Sequence, residues 1–77
     1  MTTRWTWHPV KPGDKYAITP WVDGEQLPYT VTQITIWDRV FYESWFLADN
    51  HHHRIGAADN AADARHACVN HHREQQQ

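Results

Sequence analysis

Residues 57–72 read AADNAADARHACVNHH. The stretch is alanine-rich and has no strand alternation. Asn60 is a good helix N-cap, and Asp63 falls in the first turn, near the positive end of the helix dipole. The spacing predicts a helix over Ala61–His72. On a helical wheel Ala61, Ala64, Ala67, Cys68 and His71 share one face, while Ala62, His66, Asn70 and Arg73 share the other. The apolar face is made of small residues. Such a helix can sit close to a sheet built of large ones.

Everything before Gly56 reads as such a sheet. TRWTWH alternates and predicts a strand at Thr3–His8, ended by Pro9. KPGDK is a turn. KYAITPWV predicts a second strand at Lys15–Val22; Pro20 lacks an amide donor, so an edge position or a bulge is expected there. Asp23-Gly24 is a strong hairpin signal within the turn DGEQLP. YTVTQITIW predicts a third strand, Tyr29–Trp37, rich in β-branched residues. Its apolar phase slips from Tyr29 and Val31 to Ile34 and Ile36, which suggests a bulge near Thr32–Gln33. A tight turn through Asp38-Arg39 leads to a fourth strand, Val40–Ala48. HHRI offers a short fifth, with Ile55 as a buried anchor and Gly56 as the hinge into the helix. The expected fold class is α+β: a four- to five-stranded antiparallel sheet with one C-terminal helix packed on one face. Residues 1–73 form the single domain, and 74–77 are expected to be a disordered polar tail.

The 77 residues are enough for one small domain. Domains of this size bury only about 60–65% of the surface of their unfolded chain. Cys68 is the lone cysteine, which excludes an intrachain disulfide and suits a reducing cytosol. The start does not read as a signal peptide, and no apolar run approaches the roughly 20 residues that span a bilayer. A cytoplasmic protein is expected. The formal net charge of −2 gives no basic stripe for nucleic acid. Five tryptophans, at positions 5, 7, 21, 37 and 45, supply core volume or contact area for a partner.

The last quarter of the chain, with Ile55, Gly56, Asn60, Ala64, Arg65, Ala67, Cys68 and His71, resembles the closing hairpin and helix of small sheet–helix proteins encoded by phages and prophages. Inhibitors of host systems, anti-CRISPR proteins among them, belong to that class. The resemblance implies a fold and a mobile-element origin, with a bacterial host cell as the place of action. It implies no activity.

No catalytic motif is present. Cys68 with His72 at i+4, joined by His51 and His53, is the best metal set the chain offers. A strand through 51–53 sends His52 to the opposite side from its neighbours, and neither CxxC nor HExxH occurs. No metal and no cofactor are therefore assigned. Cys68 as a nucleophile conflicts with its place among alanines. The acidic residues Asp23, Glu25, Asp38, Asp59 and Asp63 read as turn or cap residues.

Coverage decides the functional expectation. In VFYESWFL, residues 40–47, both phases are apolar. One short helix covers one face of a sheet, so the other face keeps large aromatics in water. Small Ser44 assigns the phase Val40, Tyr42, Ser44 and Phe46 to the helix. Phe41, Glu43, Trp45 and Leu47 then lie on the open face, with Trp21 as a neighbour. The expectation is a non-enzymatic protein-binding module, a phage-type inhibitor that occludes a host defence protein, or a homodimer through that face. The alternatives are a single-stranded nucleic-acid-binding sheet and a metal-binding protein using His and Cys.

Overall fold

A computed structural model describes residues 4–75. It has six strands and one helix: β1 (Trp5–Pro9), β2 (Ala17–Val22), β3 (Glu25–Gln26), β4 (Tyr29–Ile36), β5 (Arg39–Ala48), β6 (His51–Ala58) and α1 (Ala61–Gln75). The strands form one antiparallel sheet in the order β1-β2-β4-β5-β6, with β3 also paired to β2. The helix packs across β4, β5 and β6. The chain is an α+β sheet with one C-terminal helix on one face.

The helix starts where its cap predicts. Asn60 Oδ1 accepts from the Asp63 amide at 2.8 Å, and Asn60 Nδ2 donates to Asp63 Oδ2 at 3.1 Å. This satisfies an amide that the first turn would otherwise leave unpaired. The helix runs past His72 to Gln75, and residues 76 and 77 lie outside the described residues. Ala64 and Cys68 are its buried residues. Their small size lets the sheet come close: Ser44 Oγ donates to the Ala64 carbonyl at 2.7 Å. Tyr29, Val31, Ala64 and Cys68 form the buried centre, and Trp5, Trp7, Ile18, Tyr42, Phe46 and Ile55 pack around it. Tyr29 reaches the helix through its hydroxyl, 2.8 Å from His71 Nδ1.

Pro20 is in neither an edge strand nor a bulge. β2 has β1 along one side, and on the other it pairs with β4 at Ala17 and Ile18 and with β3 at Trp21 and Val22. Thr19 and Pro20 fall in the gap between those partners, so the missing amide costs no ladder bond there. Thr19 Oγ1 fills part of the gap by donating to the Tyr29 carbonyl at 2.8 Å, and the Pro20 carbonyl accepts from Leu27 N at 2.9 Å. The strand β3 follows an Asp23-Gly24 turn with both φ angles positive, the hairpin that this dipeptide predicts. The first strand is Trp5–Pro9, and Thr3 lies outside the described residues.

The expected bulge at Thr32–Gln33 is absent. β4 pairs with β5 in one unbroken register from Tyr29↔Phe46 to Ile36↔Arg39. The apolar phase changes because the cover changes: Tyr29 and Val31 are buried at the helix, whereas Ile34 pairs with Phe41 farther along the hairpin. The turn is Trp37-Asp38, and Arg39 belongs to β5. The bulge lies between β5 and β6: Ser44 pairs with Gly56 and Trp45 with Arg54, which leaves Ile55 as the extra residue, packed against the core. β6 continues through Gly56 to Ala58, so Gly56 is a strand residue opposite Ser44 and not a hinge.

Candidate functional site

The Ser44–Ala64 hydrogen bond and the Phe46–His71 ring contact, 4.7 Å between centroids, turn Tyr42, Ser44 and Phe46 toward α1. Strand alternation then turns Phe41, Glu43, Trp45 and Leu47 to the opposite face. Val40 has the helix-side phase but sits near the hairpin end and is exposed. Trp5 and Trp7 pack on the core side of β1, and β2 pairs them with Val22 and Pro20. Trp21 therefore lies on the open face, paired with Thr6 and Gln26. β4 separates it from Trp45.

Trp45 is half-buried. Its Nε1 donates to Thr32 Oγ1 at 3.0 Å, which lays the indole across β4. Beside it a recess of about 270 Å³ is lined by Thr30, Thr32 and His52. Glu43 pairs with Arg54, Nε to Oε2 at 2.7 Å, and the Glu43 side chain is only 14% exposed. Around Trp45 the face is thus apolar with one internally neutralised ion pair, and Asp38 and Arg39 bring two further charges to its hairpin end. Leu47 is exposed.

The most exposed large apolar group is not one of the five residues expected on the open face. Trp37 sits at the tip of the β4–β5 hairpin and is 95% exposed. Ile36 beside it is 50% exposed. Together with Arg39 and Phe41 these residues line a cleft of about 460 Å³ that continues the open face to the tip. Trp37 also has φ +60°, whereas Asp38 is not among the positive-φ residues. That sign pattern belongs to a type II′ turn, whose first position favours glycine. A bulky residue there is a backbone outlier, and such outliers cluster at functional sites. The signal in the sequence was a tryptophan placed where a two-residue hairpin wants glycine or asparagine.

The metal candidates do not converge. Cys68 is fully buried, and His51, His52 and His53 are exposed along β6. His51 and His53 lie opposite Ala48 and Phe46, and His52 lies opposite Leu47. His72 packs edge-on against Trp5, at 5.5 Å between centroids. Among the described residues no three of His, Cys, Asp and Glu form a set that could hold an ion. Burial pushes the Cys68 thiol up to about 11, the opposite of what a nucleophilic cysteine requires. Burial, together with the neighbouring Cys68, pushes the Tyr29 hydroxyl up to about 12. Among the described residues no helix is long and apolar enough to cross a membrane. No family model matches the chain, no curated protein matches it, and no solved structure matches it.

Proposed function

We propose that this chain is a non-enzymatic protein-binding module. It docks through the sheet face turned away from α1 and through the tip of the β4–β5 hairpin. The observation that carries this reading is Trp37, 95% exposed on a two-residue turn and flanked by half-exposed Ile36. Tryptophan is the side chain most enriched among residues that dominate interface energies. Here it projects from a short hairpin loop, so little backbone ordering is lost on binding. Phe41, Trp45 and Leu47 extend the apolar surface behind it, and contiguous apolar patches mark interaction sites. The charge pattern favours a protein over a nucleic acid, because Arg54 on this face is paired with Glu43 and Arg39 shares the tip cleft with Asp38, which leaves no basic stripe. Steric occlusion of a host protein, the mode of small phage inhibitors, fits a module that presents an aromatic hairpin tip. A second copy could use the same face.

The test compares variants. Tagged wild type, Trp37→Gly, Trp45→Ala and the helix-surface control His66→Ala are used as baits in a bacterial lysate, and each is sized by analytical ultracentrifugation. The expected result is one partner, or a dimer, retained by wild type and His66→Ala and lost by Trp37→Gly. Retention that is equal across all four baits, or absent from all four together with a monomer throughout, sinks the reading.

A further inference from the structure

On the helix side of the sheet, remote from the docking face, the turn before β2 and the first two turns of α1 flank a half-open cavity of about 190 Å³. Its floor is apolar, made by Ile18 of β2 and Val31 of β4. Its rim carries two cations, Lys15 from the turn and Arg65 from the helix. No acidic residue lines it. The nearest carboxylate along the chain, Asp14, is turned into its own loop, where Oδ1 accepts from the Tyr16 amide at 2.8 Å. Asp63 in the first helical turn is held by the Asn60 cap. Among the described residues neither Lys15 nor Arg65 has a carboxylate partner. Arg65 is instead oriented by the Trp7 ring, with Cζ 5.9 Å from its centroid. The walls between the cations and the floor come from Tyr42 and Gln33, neither of which makes a side-chain hydrogen bond among the described residues.

Two unpaired cations on one rim run against the chain's net charge of −2. A guanidinium and an ammonium facing one cavity suit an anionic head, and a guanidinium fork matches a carboxylate in two contacts. The apolar floor suits a short carbon stem or a ring. The volume is below the roughly 300–1,000 Å³ of clefts that hold drug-sized ligands, too small to take in a whole nucleotide. We infer that this cavity is a binding site for a small organic carboxylate. The carboxylate lies between Lys15 and Arg65, Gln33 and Tyr42 supply hydrogen bonds, and the apolar part rests on Ile18 and Val31.

Sodium benzoate is the probe, titrated into isotopically labelled full-length protein and followed by amide NMR shifts. Benzamide and inorganic phosphate at matched ionic strength are the controls. The expected result is saturable shifts at Tyr16, Gln33, Ala61 and Arg65 with benzoate, none with benzamide, and weaker ones with phosphate, which meets the two cations but not the apolar floor. Lys15→Gln and Arg65→Gln should each raise Kd at least fivefold. Both side chains are exposed, so the folded spectrum should persist, and either variant alone suffices if the other unfolds. Shifts that do not saturate, equal shifts with benzamide or phosphate, or unchanged affinity in the variants would each overturn the assignment.

Discussion

Replacing Trp37 with glycine should make the protein more stable and its docking weaker. Trp37 holds φ +60°, a conformation that costs an L-residue roughly 1–2 kcal/mol. Its side chain is 95% exposed, so removing the indole forfeits almost no burial. Glycine restores the preferred residue of the turn but adds unfolded-state entropy of roughly 0.5–1 kcal/mol. The difference is a gain of about 0.5–1 kcal/mol. For a domain of this size that raises Tm by about 2–8 °C. Thermal melts by circular dichroism measure it directly. Urea titration should show a higher midpoint with an unchanged slope, which assigns the gain to stability rather than to a looser unfolded state. A fall in Tm would refute the reasoning, because it would mean that the indole packs on the hairpin. A rise in Tm with docking intact would leave the turn argument standing and remove Trp37 from the interface.

Ser44 sets the helix–sheet distance, so Ser44→Ala should cost about 1 kcal/mol for the lost bond to the Ala64 carbonyl. Ser44→Val should cost more, about 1–3 kcal/mol, because added methyls push α1 off the sheet. Chemical denaturation of the pair checks the order, and an equal or reversed order would show that the contact is not close-packed. Alkaline pH should destabilise the fold. The Cys68 thiol rises from 9.0 to about 11 and the Tyr29 hydroxyl from 10.0 to about 12. Between pH 9 and 12 the unfolded chain therefore binds fewer protons than the folded one. The stability these groups contribute is fully present below pH 9 and lost as pH rises through 11–12, on the order of 2–3 kcal/mol for the fully buried thiol. Melts at pH 8 and pH 11 of wild type and Cys68→Ala measure it; an equal pH dependence in both would discard the thiol's part. In native protein at pH 8 a thiol reagent should modify Cys68 only as fast as the chain unfolds, and rapid labelling would contradict its burial.

Local chemistry made much of the fold legible. The Asn60–Asp63 cap, the small apolar stripe of α1 and the Asp23-Gly24 hairpin depend on neighbours in sequence, and each forms where those neighbours predict. The phase of Val40–Leu47 was readable only through Ser44, since both faces of that strand are apolar. Phe41, Trp45 and Leu47 followed from it. Trp37 did not, because its exposure depends on the turn falling at Trp37-Asp38 rather than one residue later.

Tertiary structure decided the rest. An apolar pattern along a strand records what covers each face at each point. The shift from Tyr29 and Val31 to Ile34 and Ile36 therefore looked like a backbone slip, although the register is continuous and only the cover changes. The true bulge at Ile55 left no trace, because the histidines before it have no apolar phase to break. Pro20 tolerates an interior strand because two partners, β3 and β4, divide one side of β2 and leave a gap at that position. The cavity between Lys15 and Arg65 is likewise a product of packing: those residues stand fifty positions apart, and only the closure of α1 on the sheet brings their charges to one rim.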